Sequence, residues 1–92
     1  NPWYSWSLGK WNAEANSYTN SSKTTRLVID RIYARYMNVK NGEIVKDIRD
    51  DQYDASHAAI GTKTIKWNSI IKGEFYFQKS GYETMKKTVQ YN

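Results

Sequence analysis

Thr24-Thr25-Arg26-Leu27-Val28-Ile29-Asp30-Arg31-Ile32-Tyr33-Ala34-Arg35-Tyr36-Met37, running on into Asn38-Val39-Lys40-Asn41-Gly42, is the stretch on which the fold turns. Two periodicities compete in it. Ile29, Ile32, Tyr33 and Tyr36 fall at i, i+3, i+4 and i+7, the stripe of an amphipathic helix. Val28, Ile32, Ala34 and Tyr36 instead share one side of a strand, because side chains alternate across a sheet. The composition, dominated by Thr, Val, Ile and Tyr, suits the strand. Asn41-Gly42 agrees. A type I′ hairpin turn needs positive φ at both central residues, and Asn-Gly is its strongest short signal. The same Gly could cap the C-terminus of a helix, which is the alternative. The strand reading sets Tyr36-Met37-Asn38-Val39-Lys40 against Glu43-Ile44-Val45-Lys46 as a hairpin.

Working outward, three further runs read as strands. Ala58 to Trp67 alternates small or apolar residues with Thr and Lys. In Ile71 to Gln78, Ile71, Gly73, Phe75 and Phe77 share one side, and Lys72, Glu74, Tyr76 and Gln78 the other, as in a half-buried strand. Gly73 on the apolar side marks a bulge or a close backbone approach. Ser80-Gly81 turns the chain into Tyr82 to Tyr91, an edge strand guarded by lysines. Residues 1–23, rich in Asn, Ser and Trp, read as an irregular arm or a short strand pinned by its tryptophans. One all-β domain over 1–92 follows: a small antiparallel β-sandwich with its core in 24–92 and an aromatic-rich amino-terminal arm.

Four Trp and eight Tyr stand against only two Phe in these 92 residues, which favours half-wet aromatic sites over a dry aromatic core. The absence of Cys removes disulfides, thiolate nucleophiles and cysteine zinc sites together. No apolar run is long enough for a membrane-spanning helix. The chain begins Asn1-Pro2 rather than with Met, as a processed product would. The expectation is an exported protein, secreted or at a cell surface, the alternative being a cloned fragment. Formal charge is +5. Two basic segments, 1–40 and 63–92, flank an acidic stretch at 41–62. Such a chain is drawn to anionic partners such as wall polymers, lipid headgroups, lipid-linked wall precursors or nucleic acid.

Catalytic signatures are missing. Asp47, Asp50, Asp51 and Asp54 would line one face of a helix and would then call for a cation such as calcium, but their spacing departs from the EF-hand loop. A solvated connection between strands is the simpler reading. His57 is the sole histidine; Ser56 beside it would point to the opposite face of a strand, and no nucleophile elbow is present. Glu14, Glu43, Glu74 and Glu83 do not single out a glycosidase pair. No Walker loop or dinucleotide fingerprint occurs, so no cofactor is expected. Tyr33, Tyr36, Phe75 and Tyr76 on basic strands have the chemistry of a nucleic-acid stacking platform, but no RNA-recognition motif or Arg cluster accompanies them. Asn20-Ser21-Ser22 is a formal glycosylation sequon.

The amino-terminal aromatic group is the candidate contact surface. Trp3, Tyr4, Trp6 and Trp11, with Lys10, Lys86 and Lys87 supplying charge, would suit a membrane interface or sugar rings stacked on indole. Trp3 and Trp6 do not share a face of an ideal strand, so the cluster requires an irregular backbone. The alternative is that these indoles cover one open end of the core.

The order of Ile29-x-x-Ile32-Tyr33-Ala34-x-Tyr36, the Asn41-Gly42 hairpin, Ala55-Ser56-His57-Ala58-Ala59, Trp67, Gly73-Glu74-Phe75-Tyr76-Phe77 and Gly81-Tyr82 resembles small exported all-β proteins of Gram-positive bacteria. Among these are the lactococcin 972 type of bacteriocins. This chain departs from that type in its greater length and single histidine. The resemblance implies an antibacterial protein that interferes with wall-precursor use without catalysis. The resulting expectation is a non-enzymatic cationic protein binding an anionic or glycosidic envelope component. The alternative is a protein-interaction module such as an inhibitor or an immunity or assembly factor.

Overall fold

Seven strands make up the regular structure of residues 1–92, all of which the computed structural model describes. They are β1 (Trp3–Leu8), β2 (Asn12–Tyr18), β3 (Ile29–Lys40), β4 (Glu43–Ala55), β5 (His57–Gly61), β6 (Ile70–Gln78) and β7 (Met85–Gln90). Strands β4-β3-β6-β7 form one antiparallel sheet and β1-β2-β5 a second. The two pack face to face, so the chain is the small antiparallel β-sandwich that its alternation predicts. No helix is long and apolar enough to cross a membrane.

The deciding stretch is a strand from Ile29 onward. Asn41 and Gly42 both have positive φ, 52° and 79°, as a type I′ turn demands. Ile32, Ala34 and Tyr36 point inward, and each is buried. Residues 24–28 lie outside the strand. Asn20 Oδ1 accepts hydrogen bonds from the Thr24 and Thr25 amides, and Leu27 N donates to Ser17 O, so those backbone groups are already committed. Two other expected strands are shorter than their patterns. The Ala58–Trp67 run stops at Gly61, after which Lys46 Nζ bonds Thr62 and Thr64 and Lys66 N donates to Asn38 Oδ1. The Tyr82–Tyr91 run starts only at Met85, because the Gly81 turn (φ 87°) hydrogen-bonds Tyr82 N back to Lys79 O.

The amino-terminal segment is more regular than its composition predicts. Residues 3–8 and 12–18 are two full strands, and with β5 they make the whole second sheet. Their apolar content looks low because β2 buries Ala13, Ala15 and Ser17, none of them exposed at all. Small residues there let the second sheet lie against the bulky Tyr36 and Phe75 of β3 and β6. Tyr4, Trp6 and Leu8 supply the volume on β1. Tyr4 stacks on Phe77 with ring centroids 4.3 Å apart, and Trp6 leans on the same ring at 6.2 Å. Both phenylalanines are fully buried, and Tyr36 satisfies its hydroxyl by donating to Lys10 O at 2.7 Å.

Gly73 is neither a bulge nor a close backbone approach: the pairing of β6 runs through it unbroken on both sides, and the groups crowding it are side chains. A Cβ at position 73 would stand 3.0 Å from Leu8 Cδ1 and 3.1 Å from the Phe75 ring. Gly73→Ala should therefore lower stability by about 1–2 kcal/mol through overpacking. Pairing it with Leu8→Ala should show a favourable coupling in thermal melts, because the second change removes the atom the new methyl strikes.

Candidate functional site

Regular pairing in β1 and β2 scatters the expected contact residues. Tyr4 and Trp6 face inward and are half-buried against the core. Trp3 faces the opposite way, paired with Tyr18 on the outer face of the three-stranded sheet. Trp11 lies in the turn between β1 and β2, with Lys10 Nζ 5.5 Å from its ring centre. Lys87 reaches over Trp6 from the edge strand at 5.7 Å, and Lys86 approaches Glu74 at 4.0 Å. The single aromatic cluster of the sequence is thus three separate placements.

The four aromatics read as a stacking platform are split: Tyr36 and Phe75 are in the core, while Tyr33 and Tyr76 lie on the outer face of the four-stranded sheet. There Arg31, Arg35 and Arg49, distant in sequence, form the arginine group not expected from the chain order. Arg31 forms a two-point ion pair with Asp51 (3.0 and 2.7 Å), and Arg35 one with Asp47 (2.8 and 2.6 Å). Arg35 also reaches Glu74 at 3.5 Å, and the Tyr33 hydroxyl donates to the same carboxylate. Tyr33 and Tyr76 stack at 5.0 Å with their planes 3° apart. Arg31 sits 5.2–5.6 Å from the rings of Tyr33, Tyr53 and Tyr76, and Arg49 lies 4.6 Å from Tyr33. Burial, then the bond to Glu74, pushes the Tyr33 hydroxyl up to about 12. The guanidinium hydrogen bonds hold Asp47 and Asp51 below the ordinary carboxylate range.

The acidic quartet therefore lies within a strand, not in a solvated connection, and alternation splits it. Asp47 and Asp51 face outward to the arginines. Asp50 faces the other sheet and accepts the Ala59 amide at 3.0 Å, capping the free edge of β5. Asp54 adopts a positive φ of 51° just before the chain changes sheets at Ser56. No three His, Cys, Asp or Glu side chains converge as a metal site would need.

One end of the sandwich gathers indole and ammonium groups. Thr62 N donates to Trp11 O at 2.8 Å, joining the Gly9–Trp11 turn to the loop of residues 62–69, and the Asn41-Gly42 turn lies at the same end. Trp11 is 45% exposed and Trp67 is 86% exposed. The same end carries Lys10 beside Trp11, Lys63 and Lys66 in the 62–69 loop, and Lys40 and Glu43 at the strand ends flanking Asn41-Gly42. Alternation assigns Trp67 to a strand, but the strand ends at Gly61 and leaves Trp67 in an exposed loop, so it is not among the expected contact residues.

On the outer face of the three-stranded sheet, Asn16 is a polar hub only 6% exposed. Its Nδ2 donates to Glu14 Oε1 (2.9 Å), and its Oδ1 accepts from Arg26 and from His57 Nδ1 (2.7 Å). Arg26 also rides 5.0 Å over the Tyr18 ring. The largest surface depression, about 370 Å³, is open and lined by the single segment Glu83–Lys87.

Because Asp47 and Asp51 are harder to protonate folded than unfolded, they contribute stability that is full above the unfolded carboxylate pKa near 3.9. It drains away as pH falls through their lower folded values. Melting temperature should fall modestly below about pH 4 as these two pairs are lost. Asp47→Asn with Asp51→Asn should flatten that acid limb while lowering stability at neutral pH. No protein-family model, curated protein or solved structure matches this chain.

Proposed function

We propose that this chain is a non-enzymatic cationic binding protein that attaches to an anionic component of a bacterial envelope, with antimicrobial action at the cell surface as its most concrete form. The observation that carries this reading is the lysine-ringed end bearing Trp11 and Trp67. Indoles sit at the headgroup level of membranes, where an apolar ring and a polar N–H are both satisfied. Lysines near an anionic surface each contribute about 1 kcal/mol of attraction. Lys10, Lys63 and Lys66 are solvent-exposed, whereas the face of paired arginines has its charge answered internally. Wall polymers and lipid-linked wall precursors offer the same anionic phosphates as lipid headgroups.

A second reading, a protein-interaction module, draws on the other face. Tyr53 is 63% exposed beside Arg31, and Tyr and Arg are the side chains that anchor interfaces. A one-to-one complex that is lost on Tyr53→Ala, with no binding to lipid or wall, would put this reading first.

Sedimentation with vesicles of phosphatidylglycerol and with isolated Gram-positive walls tests the leading reading, alongside growth inhibition of the same bacteria. Binding should weaken from low to physiological salt. Lys63→Ala with Lys66→Ala should cost about 2 kcal/mol, roughly thirtyfold. Trp67 emission should shift to the blue on vesicles. Binding indifferent to salt and to Trp11→Ala and Trp67→Ala would overturn it.

A further inference from the structure

We propose that the outer face of the β1-β2-β5 sheet is a saccharide-binding face for uncharged sugar units, with Trp3 as its stacking platform and the Asn16 hub as its hydrogen-bonding array. This deepens the envelope reading by adding a second ligand class at a second place, and it stands or falls separately from the lysine-ringed end.

Sugar recognition on a flat surface needs an exposed aromatic ring beside side chains that both donate and accept hydrogen bonds. The face supplies both in adjoining rows. Trp3, 45% exposed, pairs with Tyr18, and the next row sets Ser5, Asn16 and His57 side by side across three strands. With strands about 4.8 Å apart and about 3.3 Å per residue, Trp3 to His57 spans about 12 Å, room for more than one ring.

The hub fixes which group does what. Asn16 spends its amide N–H on Glu14, so its oxygen faces His57 and Arg26. His57 therefore donates through Nδ1 and, while the ring is neutral, leaves Nε2 as an outward acceptor. Glu14 keeps one carboxylate oxygen free of Asn16. Arg26, held against the Tyr18 ring and bonded through Nη1 to Asn16, retains further N–H donors. Acceptor, acceptor and donor thus stand around one buried amide, their own rotamers set by it. Such an arrangement matches adjacent sugar hydroxyls, which donate and accept at once.

Charge selects the sugar. Arg26 and Glu14 cancel, so this face has no net pull on a polyanion, in contrast to the lysine-ringed end. Stacking and neutral hydrogen bonds are little affected by salt, whereas long-range ionic attraction is screened. The two sites are therefore separable by one variable.

Proton–nitrogen correlation spectra of the full chain, titrated with soluble cellotetraose and chitotetraose, test the proposal, because each of the four indoles gives its own signal. The Trp3 indole and the Asn16 side-chain amide should shift, equally at low and high salt, with Trp11 and Trp67 unmoved. Trp3→Ala and His57→Ala should each weaken binding about tenfold while leaving vesicle sedimentation unchanged. Shifts at Trp11 or Trp67 instead would overturn the assignment and move sugar recognition to the lysine-ringed end. No shift with either oligosaccharide at saturating concentration, or unaltered binding by Trp3→Ala, would overturn it outright. Failure of vesicle or wall binding would bear on the envelope reading alone, because these probes are soluble and carry no charge.

Discussion

Between Asn38 and Val39 the hairpin slips by one residue: Val39 pairs with Ile44 but Asn38 with Lys46, leaving Val45 as the extra residue of a bulge. Everything beyond it on β4 inherits that slip. Continued from the turn without it, the register would set Arg35 against Ile48 and Tyr36 against Asp47. With it, Arg35 faces Arg49 and Tyr36 faces Ile48. Side-chain direction has a period of two, so one residue of slip exchanges the two faces. The bulge therefore puts Ile48 on the core side and Asp47, Arg49 and Asp51 on the solvent side. Without it Asp47, Arg49 and Asp51 would be turned toward Tyr36, Ala34 and Ile32, and Ile48 would leave the core side. In the slipped register the inward charges are Lys46 and Asp50, which bond Thr62 and the Ala59 amide.

The same slip sorts the charge. Asp47 and Asp51, delivered to the outer face, neutralise Arg35 and Arg31, so two of the five acidic side chains of the middle segment are answered by arginines of its own hairpin partner. What remains solvated is mostly lysine. The difference is physical as well as numerical: a guanidinium makes two parallel bonds to a carboxylate and stacks on tyrosine, while an ammonium is a hydrated point charge on a flexible stem. Arginine thus braces the four-stranded sheet, and lysine is left for long-range attraction. The bracing is modest, since partly exposed pairs contribute about 1 kcal/mol or less each. Three tyrosine rings surround Arg31 in addition to its two-point bond with Asp51.

The strands whose side chains alternate cleanly were legible. Ile71, Gly73, Phe75 and Phe77 are buried as their spacing predicts, and Asn41-Gly42 forms the turn its chemistry demands. What stayed hidden has specific causes. Alanine and serine carry little hydropathy, so β2 resembled an irregular arm although Ala13, Ala15 and Ser17 are fully enclosed. Alternation continued past Gly61, but the side chains of Lys46 and Asn38 claim the backbone and side chains of the 62–66 segment, and those partners lie far away in sequence. The arginine–tyrosine array and the Asn16 hub are products of cross-strand register, and the bulge that sets the first is invisible in composition. The regularity of β1 also divides the indoles: Trp3 and Trp6 take opposite faces because the backbone between them is a good strand.

That division is itself informative about function. Trp6 joins Tyr4 and Phe77 against the core, and packing accounts for its place there. Trp67 cannot be explained that way, since a side chain 86% exposed gains almost none of the roughly 25 cal/mol per Å² that burial supplies. Trp3 and Trp11, each 45% exposed, stand between these cases. In a chain with only 16 of 92 residues buried, the core is small, and large apolar rings left outside it add nothing to its stability. They do raise the tendency to associate, which surrounding lysines oppose through repulsion between copies. An exposed indole beside unpaired ammonium groups is a combination that an anionic surface can cover and neutralise, which is what the proposed binding rests on. The lysine-ringed end has that combination, and the Trp3 face, with its charges already cancelled, has the chemistry for a neutral ligand instead.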